Sequence, residues 1–441
     1  MPIMTTNKQR HNLSVNREIL SLSLPSIVTN ITTPLLGLVD VAIVGHMGSA
    51  AYIGAIAIGG SMFNMLYWLF GFLRMGSSGM TAQAFGAKDR LAQSRILQQA
   101  LLVAMLAGIA MIVLRHQVCE AVLWFMDVEA DTAVLARTYF EILVWGAPAV
   151  LGTYVMSGWF LGMQNSRAPM WVSIFINLCN IAVSLVLVYC FNYDIPGVAV
   201  GSLVAQWGGF MLACSICLIR YDIVLSTFKE IVEIKGLKHF FRINVDIFLR
   251  TLCLVAVTLW FTRTGSRQGT EMLAVNALLM QFFTLFSFFM DGFAFAGEAI
   301  CGKYIGAGER TLLRRSIDAL CRWGAGLAVA FTVIYAVGGD LLLNFLSSEK
   351  NVIVHAHEYI YWIITIPVAG FLAFTWDGVF IGATATRSML LSMAAATAVF
   401  FISYALAFPS LGNHGLWLAF ICYLLTRGTI LSVIGRRYRR H

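Results

Sequence analysis

A single carboxylate, Asp40, lies within the first long apolar run of the chain, which extends from Leu20 to Val44 and contains no Lys or Arg. An ionised aspartate near the centre of a membrane helix costs roughly 2.5–3.5 kcal/mol on insertion scales. Such residues therefore face a protein or water interior and are candidates for proton or ion transfer. Asp40 is such a candidate if this run crosses a membrane.

Other polar side chains occupy later apolar runs at spacings that place them on one helix face. The set is Asn177, Asn180 and Ser184 in one run, and Ser202 and Gln206 in the next. Counted from the ends of their runs, they lie at the depth of Asp40. We expect a polar pocket in the outer half of the membrane, where burial favours the protonated carboxyl and lets Asp40 take up and release a proton. The alternative is a hydrogen-bond network that only joins helices.

Two prolines interrupt the run that carries Asp40. Pro25 and Pro34 each remove a backbone hydrogen bond and favour a kink, and Thr32 and Thr33 offer hydroxyls to the freed carbonyls. A helix that bends beside a protonatable group is a candidate switch. A static kink that fits the packing is an equal alternative.

The C-terminal half has its own acidic residues within apolar runs. Asp291 and Glu298 are two helical turns apart and share a helix face, and Asp377 lies two runs later. Glu298 and Asp377 also fit a position at the cytoplasmic interface. Three arginines are expected to snorkel to that side, and pairing with Asp291 is less favoured: Arg74, Arg250 and Arg427.

The composition indicates which elements position these side chains. Hydrophobic residues make up 59% of the chain and charged residues 12%, which is more apolar surface than one soluble core buries. Twelve runs are long enough to cross about 30 Å of hydrocarbon as helices. We therefore predict an all-α membrane protein with spans near 18–45, 52–77, 93–114, 135–160, 169–191, 197–220, 244–263, 272–300, 313–338, 358–381, 388–408 and 413–434.

The net charge is +8, and the basic residues are unevenly distributed. Most Lys and Arg fall in segments that are cytoplasmic if the N-terminus is inside. Both termini are therefore expected in the cytoplasm. The basic tail 436–440 is expected to meet anionic lipid, and nucleic acid is not an expected partner. The segment 1–17 lacks signal-peptide features, and the nine cysteines show no metal-binding or paired spacing, so no metal or cofactor is expected.

An internal repeat organises the chain. The segment 86–90 recurs at 306–310, and a pattern of glycine, phenylalanine and arginine recurs at the same displacement: Gly158, Phe160, Gly162 and Arg167 return as Gly378, Phe380, Gly382 and Arg387. Each half has six runs, so both enter the membrane in one orientation, related by a pseudo-two-fold axis along the membrane normal. We predict bundles at 1–220 and 244–441, a cytoplasmic linker at 221–243, and transport by alternating access.

Three groups of motifs carry a resemblance to a known family. They are the segments 22–25 and 34–40, the segment 81–87, and the segments 291–294, 377–383 and 412–419. The chain resembles multidrug and toxic compound extrusion (MATE) transporters over its whole length, and the DinF branch in the third group. This resemblance implies cation-coupled export of hydrophobic, often cationic compounds, with Asp40 as the coupling carboxylate and Pro25 as the bending point.

One position departs from the family pattern. Relatives often carry a second aspartate where this chain has Ser184, and a single carboxylate binds sodium poorly because that cation needs several oxygens and charge compensation. We therefore expect proton coupling, with sodium-coupled drug antiport as the alternative. A lipid or lipid-linked flippase of the same superfamily is a further alternative, and a channel or an enzyme is not favoured. The protein is expected to act as a monomer among membrane lipids.

Overall fold

Helices make up nearly all of the computed structural model, which describes residues 3–45, 50–126, 130–226, 228–231, 234–347 and 349–440. Within these residues no strand occurs. Among the residues in these ranges, twelve helical spans are long and apolar enough to cross a membrane. The predicted all-α fold with twelve spans is therefore confirmed.

The described residues of the N-terminal half form ten helices and two short irregular turns. The helices are α1 Ile3–Gly45, α2 Ala50–Leu69, α3 Phe72–Gly86, α4 Arg90–Val113, α5 Arg115–Met126, α6 Ala130–Leu143, α7 Ala147–Gly162, α8 Arg167–Leu185, α9 Ile195–Arg220 and α10 Phe228–Ile231. A 3₁₀ turn, Val144–Gly146, joins α6 to α7, and a π turn, Val186–Cys190, follows α8. The predicted spans 52–77 and 135–160 are therefore each built from two helices.

In the C-terminal half, the residues that the structure describes form six long helices, most of which extend beyond the apolar run. They are α11 Ile234–Arg267, α12 Thr270–Gly306, α13 Arg310–Leu346, α14 Lys350–Gly382, α15 Thr386–Leu411 and α16 Asn413–Arg440. A core of aromatic and aliphatic side chains receives residues from all six of these helices, with Phe282, Phe286 and Trp417 fully buried in it. Several phenylalanines that precede Asp291 thus pack inside this half.

The chain forms two compact units. One comprises residues 28–241, and the other comprises residues 242–441 together with residues 1–27. The repeat had suggested that all of residues 1–220 form one bundle, but the contacts divide α1 between the units at Ile27. Asp40 belongs to the unit 28–241.

The repeat appears in the way helices touch within each unit. A Cβ added to Gly158 on α7 would lie 2.2 Å from the carbonyl oxygen of Arg74 on α3, and one added to Gly378 on α14 would lie 2.2 Å from that of Ala294 on α12. Gly378 is the repeat equivalent of Gly158, and Ala294 is that of Arg74. The glycines recur because each allows two helix backbones to meet.

The loops repeat the same pattern. Backbone φ is positive at Lys88, Gln164 and Asn192 in the first half. It is also positive at the equivalent positions of the second half, which are Gly308, Thr384 and Gly412. A left-handed residue is unusual outside glycine, so three such pairs at one displacement indicate that both halves make the same turns after the same helices.

Candidate functional site

Asp40 lies near the end of α1, and its side chain is 3% exposed. Its Oδ2 accepts a hydrogen bond from the Ser202 hydroxyl at 3.0 Å and a longer one from the Tyr139 hydroxyl at 3.5 Å. Ser202 is on α9 and Tyr139 is on α6. Three helices therefore meet at one carboxylate oxygen.

Asn180 extends this contact into a chain of two hydrogen bonds. Its Nδ2 donates to the Ser202 oxygen at 2.7 Å. Because a hydroxyl has one proton and two lone pairs, Ser202 accepts from Asn180 while it donates to Asp40. The sequence placed these three residues at one depth, and the structure brings them into contact.

Ser184 is fully buried next to this chain of hydrogen bonds. A Cβ added to Gly201 would lie 2.1 Å from the Ser184 oxygen, so Ser184 packs directly against α9 beside Ser202. In the described part of the chain, three buried oxygens here have no hydrogen-bond partner: Asp40 Oδ1, Asn180 Oδ1 and Ser184 Oγ. The site therefore has acceptor capacity that its own side chains leave unused.

Two further predicted site residues do not join the Asp40 contacts. Asn177 donates to the backbone oxygen of Ser173 on its own helix at 2.9 Å. Gln206 is buried beside the 3₁₀ turn, where a Cβ added to Gly146 would lie 1.9 Å from its Oε1. The hydrogen-bonded site is thus narrower than the pocket expected from depth alone.

Tyr139 is a site residue that the sequence did not identify. It is far from Asp40 along the chain. Its repeat equivalent is another tyrosine, Tyr359, which does not by itself point to a site. Gly59 makes space for the ring of Tyr139, since a Cβ there would lie 2.5 Å from its Cδ1. Phe63 packs against the ring edge-on at 6.5 Å. No periodicity or motif links Tyr139 to α1, so only the folded chain reveals the contact.

The charge of Asp40 has no basic partner among the residues that the structure describes. The ion pairs of the same unit join other acids, such as Glu120 with Arg137 at 2.6 Å. Only hydroxyl and amide dipoles therefore offset an ionised Asp40. Uptake of a proton removes a buried charge, which is the chemistry that this arrangement favours.

Both predicted bending residues lie within α1, which is helical from Ile3 to Gly45. Pro25 is partly buried and Pro34 is exposed. The Thr33 hydroxyl donates to the Thr29 carbonyl at 2.8 Å, and the Thr32 hydroxyl donates to that of Val28 at 2.9 Å. Neither carbonyl is the one that Pro34 frees, which belongs to residue 30, so these threonines do not have the compensating role expected of them.

Asp377 on α14 differs sharply from Asp40. Its Oδ2 accepts from the guanidinium groups of both Arg250 on α11 and Arg427 on α16. The two arginines are 7% and 5% exposed, so the expectation that they snorkel to the cytoplasmic interface is wrong for both. The reason is that a buried carboxylate on a neighbouring helix offers a closer partner than water.

The other two acids of this half act on the same arginines. Asp291 and Glu298 on α12 attract Arg250 electrostatically, and Asp291 also attracts Arg427. Glu298 is 1% exposed, so it lies inside the helix packing and not at an interface. The C-terminal half therefore has a buried cluster of both charge signs, whereas Asp40 stands without an ion pair within the described residues.

Known proteins share this architecture. The MatE family model matches residues 25–186 and 244–407. DNA damage-inducible protein F of Escherichia coli (strain K12) is 36% identical over 441 residues, 97% of this chain and 94% of that protein. The probable multidrug resistance protein NorM of Rhizobium meliloti (strain 1021) is 23% identical over 94% of this chain and 92% of its own.

A solved structure supports the fold. The Vibrio cholerae MATE transporter VcmN, in its bent form, matches 98% of both chains with a TM-score of 0.86 at 16% identity. Together with the family match in both halves and the near full-length relative from Escherichia coli, this confirms the resemblance identified from the motifs. The chain belongs to the MatE family of membrane transporters.

Proposed function

We propose that this protein exports hydrophobic and cationic compounds across the bacterial inner membrane by proton-coupled antiport, with Asp40 as the proton carrier. The observation that carries the proposal is the state of Asp40. It is buried, it is hydrogen-bonded only through Oδ2 by hydroxyl groups, and its Oδ1 has no partner among the described residues. The multidrug resistance named for the Rhizobium relative supports the substrate class.

The chemistry of Asp40 suggests how a proton is used. The ionised form accepts from Ser202 and Tyr139, while the protonated form acquires a donor of its own that seeks an acceptor. Protonation therefore changes which helices Asp40 holds together. In the proposed cycle Asp40 takes a proton from outside, α1 rearranges, drug leaves outward, and the proton is released inside by alternating access.

The driving force is sufficient. A proton that enters down about 100 mV and about one pH unit supplies roughly 3.7 kcal/mol, enough for a gradient of several hundredfold in a neutral compound. Electroneutral exchange with a monovalent cation draws on the pH difference alone, which gives about tenfold.

The acids of the C-terminal half are assigned to structure and not to coupling. Asp377 is held by two guanidinium groups, and a proton on it would leave Arg250 and Arg427 buried against a neutral acceptor. A proton carrier must alternate between two states of similar free energy. Asp40 meets that requirement better because no ion pair fixes its charge within the described residues.

Sodium-coupled antiport is the second candidate, and one observation favours it. The unpartnered oxygens of Asp40, Asn180 and Ser184 are hard donors of the kind that sodium prefers. Only one of the three carries a charge, however. We therefore place sodium second to the proton.

The test is dye efflux from proteoliposomes driven by an imposed pH gradient, with and without sodium. We expect efflux by the wild type without sodium and none by Asp40→Asn. Asp340→Asn is the matched control, because Asp340 is exposed, pairs with His357 and makes none of the hydrogen bonds described for Asp40. Undiminished efflux by Asp40→Asn would overturn the mechanism, and sodium-driven efflux without a pH gradient would replace the coupling ion.

A further inference from the structure

The packing of α1 changes along its length. A stripe of side chains in its first part is buried, namely Val15, Ile19, Leu22, Ser23, Ser26 and Ile27. From Val28 to Val39 none of the residues whose side chains are described is buried, and burial returns at Asp40. The first part of the helix is therefore held by its surroundings, whereas the middle is not.

The buried stripe lies against α12. A Cβ added to Gly292 would lie 2.3 Å from the Ile27 side chain and 3.1 Å from the backbone oxygen of Ser23. The missing Cβ lets the two helices approach closely at this point. This contact fixes the end of the stripe that is nearer to Asp40 in sequence.

Hydrogen bonds fix its other end. Glu18 accepts through Oε1 from the ammonium group of Lys303 at 2.5 Å and through Oε2 from the Tyr304 hydroxyl at 2.8 Å. Both oxygens of this carboxylate are thus engaged by neighbouring residues of α12. Trp323 on α13 donates to Asn16 at 3.2 Å, close to Glu18 on α1. Residues 14–27 are consequently fastened at both ends to the unit 242–441.

From these contacts we infer that Glu18 is a positioning residue for coupling. It fastens residues 14–27 of α1 to α12, so that the rearrangement which follows protonation is confined to residues 28–45, which carry Asp40. The fastened part ends at Ile27, the last residue of α1 that belongs to the same compact unit as α12. The inference rests on the proposed antiport.

The pair formed by Glu18 and Lys303 is partly exposed at the edge of a cleft. The side chains of Lys303 and Glu18 are 29% and 24% exposed, and they line an open cleft of about 560 Å³ together with Ser14, Arg17 and Ser21. Water can therefore replace either partner. A carboxylate with a charged donor and a hydroxyl donor holds its geometry more firmly than a single surface ion pair.

Hydrogen–deuterium exchange in lipid nanodiscs tests the fastening directly. In Glu18→Gln we expect exchange in residues 14–27 to rise roughly three- to tenfold, since one charged partner is lost, while residues 28–45 remain unchanged. Lys303→Met should give the same rise, and the double variant should add little to it. Glu120→Gln, which breaks the exposed pair with Arg137, is the matched control and should leave residues 14–27 unaffected.

Efflux kinetics separate positioning from mere stability. We expect Glu18→Gln to lower the maximal rate of efflux several-fold with the KM for the dye unchanged, and Glu18→Lys with Lys303→Glu to recover both rate and protection. Unchanged exchange in residues 14–27 of Glu18→Gln would overturn the inference, as would raised exchange with an unchanged maximal rate. Hydrogen–deuterium exchange tests whether Glu18 holds residues 14–27, whichever ion drives transport. Absence of proton-driven efflux in the wild type would count against the proposed function alone.

Discussion

Ser202 donates its only proton to Asp40 at 3.0 Å while its oxygen accepts from Asn180 at 2.7 Å. This polarity matches an ionised Asp40, because a carboxylate only accepts. Asn180 thereby supports Asp40 through Ser202. The consequence can be tested at each of these positions.

Removing the Ser202 hydroxyl should impair coupling without unfolding the protein. Ser202→Ala deprives the carboxylate of its closest donor and leaves the Asn180 amide without its acceptor. The ionised state becomes harder to form, so we expect proton-driven efflux to fall about tenfold, the usual cost of one hydrogen bond to a charged group. Ser215→Ala on the same helix is the control, since that exposed hydroxyl bonds only to a carbonyl of its own helix. Equal rates for the two variants would show that Ser202 is not part of the coupling site.

A second carboxylate beside Asp40 should make transport respond to sodium. Ser184→Asp adds a charge next to the unpartnered oxygens of Asp40 and Asn180, and a pair of carboxylates with amide oxygens suits a hard cation. We expect sodium to stimulate efflux by this variant and not by the wild type. Sodium titration of dye efflux at fixed pH measures the effect, with Ser184→Asn as the uncharged control. A response to sodium that is equal in both variants would contradict the role of charge.

Neutralising Asp377 should destabilise the protein, whereas neutralising Asp40 should not. Asp377→Asn removes the carboxylate that pairs with both Arg250 and Arg427, and loss of one member of a buried ion pair costs about 3–5 kcal/mol. Asp40→Asn removes a buried charge that has no ion pair in the described structure, so we expect no loss. Unfolding in an SDS titration, followed by tryptophan fluorescence, compares the two. A similar loss for both would show that Asp40 is also a structural residue.

The backbone contact between α12 and α14 should tolerate no side chain. Gly378→Ala places a methyl group 2.2 Å from the Ala294 oxygen and must push the helices apart, for which we expect a loss of roughly 1–3 kcal/mol. Gly326→Ala on α13 is the control, because a Cβ there meets nothing within 4 Å. The midpoint of unfolding measures both. Gly158→Ala should behave like Gly378→Ala if the repeat reflects packing.

Much of the fold could be predicted because it depends on local pattern. Apolar length determines the spans, and the recurrence of Gly158 as Gly378 anticipates where helices touch. Depth counting also placed Ser202 level with Asp40. Depth does not specify the direction in which a side chain points around its helix, however. For that reason Gln206 was expected at the site but lies at a turn, and Tyr139 was missed although it contacts Asp40.

The buried arginines show a second reason why the structure differs from what the sequence predicts. Arg250 and Arg427 lie towards the cytoplasmic ends of the predicted spans 244–263 and 413–434, from which snorkelling to water is the usual outcome, and nothing local indicates that both point towards Asp377. Their pairing depends on how three helices pack. The division of α1 at Ile27 has the same origin, because the sequence marks one continuous apolar run through that point.

The duplicated turns and glycine contacts make each half a reference for the other. Both halves have a glycine at this position, Gly158 in one and Gly378 in the other, because the neighbouring helix backbone leaves no room for a Cβ. The repeat equivalent of Asp40 is Trp260, packed against Phe401 and Tyr404, so the second half places an aromatic ring where the first has an acid. The two halves thus share a scaffold but differ in their buried charges: Asp40 has no ion pair among the described residues of the first half, whereas Asp377 in the second is paired with two arginines.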